Sequence, residues 1–460
     1  MKKKIFSATA AILIFTVCIV CLVACNSYKM EAIGGGDASA PVESNGGYVV
    51  KQGNYLYFIN GYVGADADAN WGAATKQGIV RAEIKNNGEV DPSTAKVLVP
   101  KSVYNSSANG GIAIYGEWVY YATPNIDKDK NGTASTTNTD FMRTKIDGSV
   151  TQLIGTIGTR SSEYFFTPTR VYYYESSKIS YIDFAGMKTN KNIDNGKGAK
   201  KGVLAENVTS IAWDYGCNEI YYVQNAPTED SYKNYNNLCA VAVDGSNQRT
   251  IATQNTFTSD PENDQLNVFK FALVDMFVES DGSATLYYTK TYTLNGSSQK
   301  AGLFCAKAND FNSEANPEKT LNTVADTTVF PLGYTDGVLA YNSDKVYCWY
   351  NGSEDEPIQV TTTSQKVWKV DANGYAYFTD SSSAKALYRI YYKEAKDNAF
   401  IKISEGIKTD WLTLDFVGSD FYFFATDDDN YLHTINLDNP DAENAESTYI
   451  GVGRPEKEEK

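Results

Sequence analysis

The chain has 460 residues, with 41 basic against 56 acidic side chains, 34 tyrosines and a single histidine. So acidic a surface repels nucleic acid and anionic lipid headgroups, which argues against both as partners. One histidine leaves no room for histidine-based catalysis unless His433 itself supplies the base.

The N-terminus reads MKKKIFSATAAILIFTVCIVCLVAC. Lys2, Lys3 and Lys4 form a basic head. Residues 10–24 are almost wholly apolar, a run shorter than the ~20 residues of a bilayer-spanning helix. Leu22-Val23-Ala24-Cys25 resembles the lipobox of bacterial lipoproteins: a branched residue, a small residue at the cut and then a cysteine. The resemblance implies that residues 1–24 are a signal peptide and that Cys25 is acylated. The mature chain is then extracytoplasmic and lipid-anchored to the cell membrane. Without the three leader lysines, 38 basic residues face 56 acidic ones, a net charge of −18. Residues 25–47, including "GGGDASAP", are small, polar and without apolar period, and read as a lipidated cysteine followed by a flexible tether.

From residue 48 one phrase recurs: a turn, an aromatic strand, a loop of variable length, a partner strand, and often "DG". It appears as Gly53-Asn-Tyr-Leu-Tyr57-Phe, Gly116-Glu-Trp-Val-Tyr120-Tyr121 and Arg170-Val-Tyr172-Tyr173-Tyr174. It continues as Asn218-Glu-Ile-Tyr221-Tyr222, Leu286-Tyr287-Tyr288, Gly337-Val-Leu-Ala-Tyr341, Gly374-Tyr-Ala-Tyr377-Phe378 and Asp420-Phe-Tyr422-Phe-Phe424. Partner strands include "LCAVAVDG" at 238–245 and "YLHTINLD" at 431–438. The aromatic strands are apolar on both faces, as strands are when their sheet is covered on both sides. Four-stranded sheets stacked radially meet that requirement. The prediction is an all-β chain: one β-propeller over 48–453, of seven or eight four-stranded blades, eight by repeat count, with a charged tail at 454–460.

The units resemble the YWTD-like propellers of low-density-lipoprotein-receptor type. They are closer to the uncharacterised propeller lipoproteins of Gram-positive bacteria, whose units read "G-x-x-I-Y-Y … L-Y-R-I-x-x-D-G". The resemblance implies the fold and carries no catalytic motif. Of the cysteines after Cys25, Cys239, Cys305 and Cys348 occupy nearly equivalent points of successive units, too far apart to bridge. With Cys217 they read as buried free thiols.

With blade strands lettered A to D from first to last, the aromatic phrase is strand B and its partner strand C. The A–B and C–D turns then share one face, and the B–C and D–A loops share the other. The A–B and C–D turns are mostly short. The B–C loops are long in the first (59–76), second (122–140), fourth (223–237) and fifth (289–302) units. An acidic D–A loop, "TSDPENDQ" at 258–265, lies on the same side. Variable loops on a rigid scaffold are where binding usually sits. Tyr62, Trp71, Tyr232, Tyr235 and Tyr292 in these loops are ligand-binding candidates, flat side chains suited to sugars or extended peptides. The competing reading packs them as small cores beneath their own loops.

In the second unit, "NIDKDKNGT" at 125–133 resembles the first half of a calcium loop. Asp127, Asp129 and Asn131 would be ligands, and Asp140 the nearest later acid, since position twelve holds Asn138. A weak calcium site and an ordinary polar turn are the two readings, the turn being the simpler. His433 sits mid-strand and reads as a packed or hydrogen-bonded residue. The expectation is a lipid-anchored binding protein, not an enzyme, that holds a glycan, cell-wall fragment or protein partner on its loop face. An envelope assembly scaffold without a small ligand and a carbohydrate-active enzyme with paired carboxylates are the alternatives.

Overall fold

The structure is a computed structural model. It describes residues 32–63, 76–103, 111–128, 134–159, 163–227, 234–254, 269–294, 297–321, 328–341, 347–350, 358–361, 365–371, 373–380, 386–391, 401–407, 414–438 and 445–455. Its strands form an all-β propeller. Seven four-stranded antiparallel blades follow one another in chain order as units two to eight, and unit one is a five-stranded antiparallel sheet. The A strands approach one another from unit to unit and so line the axis. Val208–Ala212 packs against Phe269–Val278, which packs against Thr328–Gly333, which packs against Gln365–Val370.

The ring closes by packing. Val49–Gln52 of unit one touches both Leu414–Val417 of unit eight and Ala113–Tyr115 of unit two. "YVVK" at 48–51 and the last strand, Thr448–Tyr449, belong to separate sheets. The seam is bonded at several levels. The Tyr48 hydroxyl donates to the Tyr422 carbonyl at 2.7 Å, and the Asn60 amide donates to Val452 O at 2.8 Å and accepts from its N–H at 3.0 Å.

The aromatic phrases occupy the B strands as the repeat predicts. In Trp118–Lys128 the run Trp118, Val119, Tyr120, Tyr121, Ala122 is buried throughout, because each face of the blade meets a neighbouring unit. Tyr120, for instance, lies 5.6 Å from Phe166 and 5.5 Å from Phe184, both in unit three. Each such side chain contributes roughly 1.5–3 kcal/mol of burial, so the interblade layers, more than the ladders, set the stability. Cys217, Cys239 and Cys305 are free and buried, as expected. The insertion at 187–202 seats Met187 and Ile193 in the core between units two and three. Its main chain bridges to Gln152 on the outer strand of unit two.

The flexible tether is corrected over its C-terminal half. Ile33 packs on the core and its N–H donates to Asp147 O at 2.8 Å. Val42–Glu43 pairs with Lys51–Gln52 as the fifth strand of unit one. The following turn, Ser44–Gly47, touches units two, four and eight at once. Ser44 donates to Phe416 O at 3.0 Å, Asn45 exchanges two bonds with Ile114, and Gly46 lies against the Tyr215 ring. Only a turn on the axis can reach three non-adjacent units, so the N-terminal segment fills the axial channel. Glycine suits the start of the segment for a steric reason: at Gly36, with φ +101°, a Cβ would come within 2.7 Å of Ile146 in the C–D turn of unit two.

Candidate functional site

In units two, four and five the described parts of the long B–C segments are paired antiparallel strands. Strands B and C span 11 and 12 residues in unit two, 9 and 9 in unit four, and 11 and 11 in unit five. In unit three they span 6 and 6 and turn at Ser176–Ser177. Each strand residue adds about 3.4 Å, so the hairpins of units two and five rise roughly 17 Å above the trimmed edge of unit three.

Their bases are fixed by polar networks. Asp140 accepts from Asn125 at 2.9 Å and from Thr156 at 2.5 Å, and the Lys101 ammonium lies 3.9 Å away. Lys101 and Asp140 are both buried, and burial lowers the Lys101 pKa against the pull of Asp140. In unit four, Asn236 donates to Asn225 at 3.1 Å and accepts from Phe271 N–H at 2.6 Å, tying the hairpin to the axial strand of unit five. Lys290 and Tyr288 both meet Glu318 at the base of the third hairpin.

Of the aromatic candidates that the structure describes, Tyr62 lies apart from Tyr235 and Tyr292. The half-buried Tyr62 stacks on Phe424 at 6.2 Å and its N–H donates to Asn430 O at 3.0 Å, so it packs the seam between units one and eight. Tyr235 stands opposite Ala226 near the end of the unit four hairpin, and Tyr292 stands between Phe269 and Gln299 in unit five. Those two therefore lie on the projecting parts of adjacent units. Trp71 and Tyr232 lie outside the described residues, as does the loop at 258–265.

The calcium-like stretch falls on the unit two hairpin. Asp127 is in strand B opposite Ser135, whereas Asp140 is opposite Thr123, four residues along the ladder and about 13 Å away. Asp140 also has its own partners at the hairpin base, so it is not brought to Asp127. Asp129 and Asn131 lie outside the described residues, and among those described no group of three metal-ligating side chains occurs.

A constellation missed from the sequence surrounds His433. Its Nε2 lies 2.8 Å from Asp428 and its Nδ1 lies 2.9 Å from the Ser447 hydroxyl. Arg454 donates to the same Asp428 oxygen at 2.8 Å. Burial opposes ionisation of Asp428, but Arg454 and His433 together hold its carboxyl below the ordinary aspartate range. Ser447 is exposed. A serine, an imidazole and a buried carboxylate bonded in that order are the parts of an acyl-transfer triad, with the two ring nitrogens exchanged relative to the usual arrangement.

Two clefts open on the short-turn face. One of about 710 Å³ lies between units eight and one, with Lys51, Glu89, Asp420, Asn436 and Thr448 on its walls. The other, of about 330 Å³, lies between units seven and eight, beside Lys369, Asp371 and Arg389. Both border the Gly418–Ser419 turn, and both carry charges of both signs.

No family model matches the chain, and no curated protein matches it. Several solved structures are similar. The β-propeller domain of the Trilobed protease from Pyrococcus furiosus is 11% identical over 76% of this chain and 97% of that one, with a TM-score of 0.38. Dipeptidyl peptidase 4 of Porphyromonas gingivalis is 11% identical over 88% and 56%, with a TM-score of 0.36. The acylaminoacyl peptidase of Pyrococcus horikoshii is 12% identical over 73% and 51%, also at 0.36. The expectation that the chain is not an enzyme is corrected by this finding, since structures similar to it include enzymes. Likeness at this level lends the chain none of their activities.

Proposed function

We propose that the chain is an extracytoplasmic lipoprotein of the YWTD-like propeller kind, anchored through Cys25, that binds an extended polar ligand on its hairpin face. The ligand would be a glycan, a cell-wall fragment or a protein segment. Unit one counts in this reading as an eighth blade carrying the N-terminal strand as its extra member. The observation that supports it is the height difference on one face: the paired strands of units two and four project on either side of the trimmed edge of unit three, and those of unit five project beyond unit four. A polymer laid across that step would meet hairpins on both sides. Their sequences, "ATPNIDKDKNGTASTTNTD" and "TKTYTLNGSSQK" among them, supply hydroxyls, amides and tyrosines, which recognise sugars and backbone amides at modest entropic cost. Co-sedimentation with purified wall sacculi, with soluble glycan fragments and peptides as competitors, tests the reading. Competition by one class identifies the ligand, and absence of any saturable binding contradicts the proposal.

A second reading rests on Ser447, His433 and Asp428. If Ser447 is a nucleophile, a fluorophosphonate probe labels it, and both His433→Ala and Ser447→Ala abolish labelling. If the cluster only secures the C-terminal segment through Arg454, no labelling occurs and the same substitutions lower stability.

A further inference from the structure

We propose that Ile33–Gly47 is an orienting strap. It enters the propeller from the short-turn face, and so holds the anchored domain with that face toward the bilayer and the three hairpins away from it. The inference rests on the anchoring at Cys25 proposed above.

The entry face follows from the strap's partners. Ile33 donates to Asp147 O, in the C–D turn of unit two. The Gly34 carbonyl accepts from Arg81, whose other terminal nitrogen donates to Ile146 O at 2.8 Å in the same turn. Pro41 O accepts from Gly53 N–H at 3.2 Å, in the A–B turn of unit one. The strap then rises antiparallel to Val49–Gln52, turns on the axis at Ser44–Gly47 and returns as that strand. Its first contacts are therefore with turns of the short face, or with Arg81 of strand Ile79–Ile84, whose guanidinium reaches one of them.

Ile33 lies eight residue steps beyond Cys25, which span at most about 29 Å. The 11-residue B strand of unit two is about 37 Å long from its short-face end. The leash is shorter than the hairpin. Bringing the hairpin tips to the acylated end would therefore require stripping the strap from Asp147 and Arg81. Orientation is thus a property of the fold. The larger cleft, on the same face as the strap's entry, opens toward the membrane side.

The test uses the full, natively acylated protein in vesicles whose headgroups carry a resonance-transfer acceptor. A donor dye is placed on the exposed C–D turn of unit one (Asn86→Cys) or on the exposed B–C turn of unit three (Ser177→Cys); Cys217, Cys239 and Cys305 are buried. The two positions are separated by about 20 Å, the length of a six-residue strand, so transfer from Asn86→Cys should exceed that from Ser177→Cys by about twofold or more. Inserting about thirty Gly/Ser residues after Tyr28, which leaves the strap untouched, should erase the difference. Protein that does not float with vesicles overturns the anchoring and this proposal with it. Protein that floats but transfers equally from both positions, or more from Ser177→Cys, overturns the orientation alone.

Discussion

Asp415 offers a quantitative test of how the ring and strap are joined. Its carboxylate accepts the Val49 N–H at 3.0 Å and the Phe416 N–H at 2.8 Å, and it lies against Gly47 where strap, unit one and unit eight meet. Burial raises its pKa to about 7, against the lowering by those two N–H groups and by Lys369. A carboxyl raised in the folded state is protonated there while the unfolded chain has already ionised. Its stabilising contribution is full below about pH 4 and is lost as pH rises through about 7. Three pKa units correspond to about 4 kcal/mol. Asp415 keeps some solvent exposure, so about 2 kcal/mol is the working figure. For a chain of this length 1 kcal/mol moves the melting temperature by roughly 1–1.5 °C. Asp415→Asn stays neutral and retains an acceptor for Val49. It should match the parent at pH 4.5 and exceed it by roughly 2–3 °C at pH 8. Parallel pH profiles for the two proteins would show that the site does not titrate in this window.

Tyr62→Ala should lower the melting temperature by roughly 1–3 °C through loss of its packing on Phe424. It should leave ligand binding unchanged, and weakened binding at full stability would return Tyr62 to the binding surface. Asp428→Ala strands Arg454 and His433 and should destabilise by about 3 kcal/mol, read as earlier proteolysis of the C-terminal segment or a lower urea midpoint. A stable, protease-resistant variant would refute the role of this cluster in securing the C-terminal segment. Calcium against chelator should give no melting shift that depends on Asp127, because the ladder carries Asp140 away from it. A shift lost in Asp127→Ala would establish a site on the hairpin, and a hundredfold excess over the dissociation constant would stabilise by ~2.7 kcal/mol.

The propeller is legible because its signal is local. Aromatic residues on both faces of a short strand, as in "WVYYA", report two-sided burial without knowledge of any partner. The B-to-C pairing follows from sequence adjacency. The strap is not legible, because "GGGDASA" has no side-chain pattern and its attachments run through main-chain groups to Arg81 and Asp147. Long B–C segments were visible, but their extended hairpin pairing was hidden by Thr-, Asn- and Ser-rich sequence that carries no regular apolar alternation. The His433 cluster joins residues five before and fourteen after it, a spacing that acquires meaning only once the register of strands C and D is known. The clefts bring Lys51 to Asp420 across the ring closure, which no local pattern announces.

The central claim is that the hairpin face binds. Its most direct measurement is the affinity for wall sacculi of three variants, each with one hairpin cut back to the length of unit three: residues 124–139 in unit two, 225–236 in unit four or 290–302 in unit five, replaced by a two-residue turn. Binding should weaken about tenfold or more in at least two of the three, about 1.4 kcal/mol each, at unchanged core melting. Undiminished binding by all three, together with loss on substituting Asp420 and Asn436 in the larger cleft, would move the site to the short-turn face and contradict the account.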